Sequence, residues 1–345
     1  MRNITARASQ TVALYVLLLS APLSVAQSYT MTVISLFGQE GTGVGINAQG
    51  NVAGQLFANG KEHGFFWSPS RGISVLPTLP GGSSSYATGI DGQNVVAGYA
   101  TFDATGRNHA TIWTNGTIQD LGTLAGGTTS WANSINIAGE IAGASDSTSF
   151  GPHAIVWSAA QGMQDLGVLP GGISSWGASV NRFGQVVGYS IAADGTYTAF
   201  VWSKTTGMQD LGTLPKGGGS SGNAINDLGQ IVGYSDCGSN CVHAVLWSKN
   251  LASLQDLGTL PGSTGSIALG LNNSGQVVGG TYSLQHAFLW TQTAGMQDLN
   301  ALIPPNSGWT LVSASAINDK GEILGMGESS FGLGLQAILL TPVNK

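Results

Sequence analysis

Five histidines and five aspartates are the residues of this chain best suited to proton or metal chemistry. His63, His109, His153, His243 and His286 recur at one position of a repeat, and Asp120, Asp165, Asp210, Asp256 and Asp298 at another. A histidine can serve as a general base or bind a metal through its ring nitrogens. Two carboxylates roughly 5–10 Å apart can hydrolyse a glycosidic bond. Both kinds of chemistry need side chains that converge, whereas one copy per repeat keeps equivalent residues in separate units. The histidines are therefore expected to pack and hydrogen bond, and the aspartates to satisfy backbone N–H groups in turns or between units. No catalytic residue is assigned. Glu40, Asp91 and Arg182 are the few charged residues expected near a central axis, and none has an evident partner in the sequence.

The remaining chemistry is local. Cys237 and Cys241, in Asp236-Cys-Gly-Ser-Asn-Cys, are expected to form a disulfide that pins their loop. They make a poor zinc site, because His243 is near but a fourth ligand is missing. Acids are scattered through the most variable loops, at Glu62, Asp103, Asp146, Asp194, Asp236 and Glu328, without the Asp-x-Asp-x-Asp-Gly pattern of a calcium loop. No metal and no cofactor is expected. Aromatic residues stand five positions before the repeat Asn/Asp in three consecutive units, as Tyr86, Trp131 and Trp176, where the other units have Thr42, Ser221, Ile267 and Ser313. Rings at a loop edge can stack on the apolar faces of sugars. The other reading is that they seal the turn against Leu-Pro-Gly-Gly. With Asp103, Asp146 and Asp194 in the adjoining loops, these three rings form the candidate ligand site.

The elements that must position these residues follow from the repeat. Asn47, Asp91, Asn136, Asn181, Asn226, Asn272 and Asn318 each open the pattern Asn/Asp-x-x-Gly-x-x-x-Gly, at spacings of 44, 45, 45, 45, 46 and 46, with Asn94 replacing the first glycine in the second unit. Asn and Gly tolerate the left-handed backbone angles of a short hairpin loop. Each unit reads as four short antiparallel strands, the third apolar on both faces, as in His243-Ala-Val-Leu-Trp247. Trp67, Trp113, Trp157, Trp202, Trp247 and Trp290 end that strand and are read as core. Such units describe the blades of an all-β, seven-bladed β-propeller, at approximately 41–80, 84–125, 129–170, 174–215, 220–261, 266–302 and 311–342. The last unit lacks a fourth strand, and residues 30–36 supply one without a blade of its own. Pairing 30–36 with 336–342 would close the ring and remove its open edges.

His286-Ala-Phe288, the variants at His153, His243 and Thr198, and recurrent Gln-Asp-Leu-Gly and Leu-Pro-Gly-Gly resemble the bacterial extracellular proteins of HAF repeats. The likeness covers roughly residues 43–340. Unit seven departs from it with Gln336 and Leu340 in place of His and Trp, and unit one lacks Gln-Asp-Leu-Gly. The resemblance implies export and propeller-like repeats, and no defined activity.

Residues 1–26 read as a secretory signal: Arg2 and Arg7, an apolar stretch from Val12 to Leu19, then Ser24-Val25-Ala26. The single propeller domain would then be 27–345, secreted or periplasmic and not membrane-spanning. Charged residues make up 8% of the chain against about 25% in an ordinary domain, with 11 basic and 17 acidic. So few cations cannot neutralise many phosphates, which argues against a nucleic-acid partner. The expected function is a non-catalytic, monomeric propeller that binds an extracellular glycan or surface protein. The rivals are a glycan hydrolase or lyase with its site in the central channel, and a purely structural envelope protein.

Overall fold

The computed structural model describes residues 28–34, 41–58, 60–147 and 151–343; the expected signal and Glu40 lie outside them. Seven four-stranded antiparallel sheets succeed one another along the chain. Blade four is typical, with strands Gly172–Val180, Val186–Ala192, Tyr197–Ser203 and Gly207–Asp210. The first strands of successive blades lie side by side, and those of blades seven and one do too, so the first strand is innermost and the array closes. The protein is an all-β, seven-bladed β-propeller. Tyr29–Ile34 forms the outer strand of blade seven, its partners running from Tyr29 opposite Pro342 to Ile34 opposite Ala337.

The two glycines of the repeat have separate causes. Gly184 closes the first hairpin at φ 72°, and Asn94 takes the same turn at φ 66° in blade two. Gly188 lies where the inner strand bulges between Gly177 and Ser179, and a Cβ there would collide with the Trp176 carbonyl oxygen. The repeat asparagine serves two blades. The Asn181 Oδ1 accepts the backbone N–H groups of Phe183 and Gln185, both at 3.1 Å, while its Nδ2 donates to the Asn226 carbonyl of the next blade at 3.1 Å.

The core lies between blades. Ala142, Ala154, Leu166 and Leu169 of blade three pack against Val180, Val186, Phe200 and Trp202 of blade four. The same interleaving joins the chain ends, where Ile34, Leu324 and Leu339 meet Val52, Leu56 and Phe65. Five of the six repeat tryptophans are buried and Trp67 is half-buried. The indole N–H groups of Trp113 and Trp247 donate to backbone acceptors, the Pro77 carbonyl at 2.8 Å and the Leu211 carbonyl at 2.7 Å. Among the described residues no helix is long and apolar enough to cross a membrane.

Candidate functional site

The first strand of each blade starts, and the second ends, on one face of the ring, together with the loops that join the second and third strands. Tyr86 and Trp131 stand second in their first strands, Trp176 holds the equivalent register in the longer Gly172–Val180, and all three are half-buried. The structure does not group them as three equivalent rings. Trp131 and Trp176 form a pair across the blade boundary, with centroids 4.9 Å apart and planes inclined at 41°. Tyr86 stacks instead on Tyr99 of its own blade, at 4.6 Å and 19°.

Tyrosines that the sequence reading passed over extend this surface. Tyr99, Tyr189 and Tyr234 follow the second repeat glycine directly and stand opposite Tyr86, Trp176 and Ser221 on the neighbouring strand. Tyr189 lies 5.3 Å from Tyr197, and its hydroxyl is raised first by burial and then by Tyr197 and Tyr234; the Tyr234 hydroxyl is raised first by burial and then by Tyr282 of blade six, Asp236 and Tyr197. Burial pushes the Tyr99 hydroxyl up to about 12, with help from Tyr86 and Glu62. Tyr86 is also raised, first by burial and then by the Glu62 carboxylate beside it. The raised hydroxyls of Tyr86, Tyr99, Tyr189 and Tyr234 stay neutral hydrogen-bonding groups at physiological pH. The signal that would have found them was a tyrosine recurring after the same glycine in three units.

Asp103, Asp146 and Asp194 hold loops. The Asp103 carboxylate accepts from the Thr105 hydroxyl at 2.7 Å and pairs with Arg107, and these bonds, the Thr105 one foremost, hold its pKa down at about 2. Asp146 binds the backbone N–H groups of Thr128 at 2.7 Å and Thr129 at 2.8 Å, joining the loop that enters blade three to the end of its second strand. Burial opposes its ionisation, yet these bonds outweigh it and the pKa is lowered. Asp194 accepts from the Thr196 N–H at 2.9 Å, which lowers its pKa in turn.

The histidines and aspartates of the repeat, treated separately in the sequence, are partners. Nδ1 of His109, His153, His243 and His286 lies 2.8, 2.9, 2.9 and 2.7 Å from a carboxylate oxygen of Asp120, Asp165, Asp256 and Asp298. The same carboxylates accept a backbone N–H two residues on, as Asp165 does from Gly167 at 2.7 Å. Each pair ties the third strand to the turn after the fourth, on the outer part of its own blade, so the four pairs do not converge.

The strands of the channel wall are chemically plain, whereas its mouth on the face of the repeat turns is lined by Arg182, Asp227 and Asp319. The seven inner strands contain no Asp, Glu, His, Lys, Arg or Cys. Asp91 accepts the N–H groups of Gln93 and Val95, both at 2.8 Å. Arg182 does have partners, contrary to expectation: it lies over the Phe183 ring at 4.6 Å and 3.9 Å from Asp227, on the face of the repeat turns. That face carries an open groove of about 670 Å³ between blades four and five, lined by Phe183, Gln185, Leu228 and Leu251 among others. Cys237 and Cys241 are joined by a disulfide at the top of blade five, with Cα atoms 5.1 Å apart.

No family model and no curated protein matches the sequence. Solved structures do resemble the fold. Virginiamycin B lyase from Staphylococcus aureus aligns with a TM-score of 0.59 and 10% identity over 92% of this chain and 100% of that one. The β-propeller domain of the Trilobed protease from Pyrococcus furiosus gives 0.59 and 6% over 89% and 94%. An oligogalacturonate lyase in complex with manganese gives 0.58 and 9% over 91% and 93%. What is shared is the propeller fold. Identities this low carry no site residues across.

Proposed function

We propose that this protein is an exported, non-catalytic β-propeller that binds an extracellular ligand, a polysaccharide in preference to a surface protein, on the face bearing Tyr86, Trp131 and Trp176. The observation that carries this reading is the half-exposed Trp131–Trp176 pair, continued by tyrosines on neighbouring blades. Rigid aromatic rings at the end of a strand offer apolar faces to a pyranose at small entropic cost, while their N–H and O–H groups bond its hydroxyls. Export rests on the pattern of residues 1–26 and accords with the resemblance to HAF-repeat proteins. Two of the similar folds are lyases, so cleavage of the bound glycan is the second reading. Inner strands without an acid or base favour binding over cleavage.

The test is a polysaccharide-binding screen on residues 27–345, with each hit then incubated and examined for products. Trp131→Ala should keep the fold and weaken binding of the hit by about 1–3 kcal/mol, the scale of one lost stacking ring on a flat ligand. Unchanged affinity in Trp131→Ala and Trp176→Ala would remove the site from this face.

A further inference from the structure

Blade five differs from its neighbours at the head of its third strand. In four blades a histidine there bonds a fourth-strand aspartate through Nδ1; in a neutral imidazole that bond takes the ring proton on Nδ1 and leaves a lone pair on Nε2. The ring of His109 is covered by Phe102, with centroids 4.1 Å apart. The Nε2 of His243 instead lies 3.8 Å from the Cys241 sulfur. The ligating atoms of Cys237, Cys241 and His243 all lie within 4.8 Å of one another, the only such trio of His, Cys, Asp or Glu among the described residues. Asp256 completes the arrangement: its carboxylate holds His243 Nδ1 at 2.9 Å and also accepts the Gly258 N–H at 2.8 Å, so the imidazole is fixed from behind. A carboxylate orienting a histidine whose other nitrogen faces soft donors is the usual surrounding of a bound zinc ion.

As a disulfide the sulfurs cannot be thiolates. We propose that reduction of Cys237–Cys241 turns the head of this strand into a Zn(II) site, with both thiolates and His243 Nε2 as ligands and the fourth position open to water. A dithiol reductant passes two electrons and two protons to the S–S bond and is itself closed to a disulfide; Zn(II) then displaces the two thiol protons. Bond lengths of about 2.3 Å to sulfur and 2.0–2.1 Å to nitrogen put ligand atoms about 3.5–3.8 Å apart in a tetrahedron. The Cys241–His243 separation already meets this, and the released sulfurs move apart on a hairpin whose Gly238 and Asn240 hold positive φ. All three ligands are half-buried, which gives reductant and ion a path in. Two cysteines and one histidine with a vacant fourth position form an open zinc site, the kind that can bind a further small ligand, and the missing fourth protein ligand is part of that design.

The experiment uses the full chain, reduced with dithiothreitol, freed of it without oxygen, and titrated with Co(II) as the spectroscopic probe. Expected are thiolate-to-cobalt absorption in the near ultraviolet and strong visible bands of four-coordinate Co(II) at one ion per chain, all lost on adding Zn(II). The oxidised protein should give neither. His243→Ala should weaken binding at least a hundredfold, and Asp256→Asn about ten- to a hundredfold with the four-coordinate spectrum kept. His153→Ala, which removes the same kind of pair where no sulfur is near, should change nothing. Absence of the visible bands, equal affinity in His243→Ala, or loss of the β-sheet circular dichroism on reduction would each overturn the proposal.

Discussion

The Ser175 hydroxyl accepts the Ala154 N–H at 2.8 Å and donates to the Gly167 carbonyl at 2.5 Å, wholly buried between blades three and four. Ser130 and Ser266 repeat the arrangement in other blades. Removing such a hydroxyl leaves a donor and an acceptor buried without partners, so Ser175→Ala should lower stability by about 1–3 kcal/mol in urea unfolding. Trp202→Ala should cost more, about 3–5 kcal/mol, because it empties a large volume in a packed interface. A loss below about 1 kcal/mol would refute its core role. The tryptophans were legible in the sequence because bulk and apolarity at one repeat position suffice to place them. The serines were not, since a serine looks like a turn or surface residue until its partners on the preceding blade are known. The histidine and aspartate repeats were seen but not joined for a related reason. Their pairing depends on how the third and fourth strands are turned against each other, which periodicity alone does not report.

At the scale of elements, the inner two strands decide which side chains share the ligand face. Strand pairing sets Tyr86 opposite Tyr99 and Trp176 opposite Tyr189, so rings from two strands meet at one end of a blade. The sequence reading found the first-strand members by their irregularity among the units. It missed the second-strand members because it used the preceding glycine only as a turn and strand marker. It also offered Asp103, Asp146 and Asp194 as ligand contacts; in the structure their carboxylates hold the loops of that face. The tyrosines predict a response to alkali. A hydroxyl with a pKa near 12 in the folded protein and near 10 when unfolded favours folding at every pH below 10, and that contribution fades as the pH rises through 12. Denaturant unfolding between pH 9 and 12, followed with tyrosinate absorbance, should therefore show stability falling from pH 10 upward. The fall should be shallower in Tyr99→Phe. An identical pH slope in the two proteins would mean that Tyr99 ionises as freely folded as unfolded.

Besides the core between blades seven and one, the ring has two closing devices, and only one was legible. A surplus strand before the first unit and a missing one in the last pointed to the pairing of Tyr29–Ile34 with the final blade. The second device is a ladder of amide hydrogen bonds around the face of the repeat turns. Nδ2 of Asn47, Asn136, Asn181, Asn226, Asn272 and Asn318 each donates to the backbone carbonyl of the repeat residue in the next blade, and Asn318 returns to Asn47 at 2.9 Å. The sequence showed asparagine as a turn former, a task its Oδ1 alone performs. Asp91 performs that task equally well through its carboxylate, but it has no N–H to give Asn136, and the ladder breaks there. Asp91→Asn should supply the missing rung without disturbing the turn, since the side chain is isosteric and Oδ1 keeps its acceptors. One buried hydrogen bond gained, together with a carboxylate removed from a site that is 5% exposed, should raise stability by about 0.5–1.5 kcal/mol. Asn181→Asp should break a second rung and move stability the other way. Urea unfolding of the two variants beside the parent protein decides the matter. If Asp91→Asn is neutral or destabilising while Asn181→Asp is tolerated, the ladder contributes nothing to closure, and the core between the blades holds the ring alone.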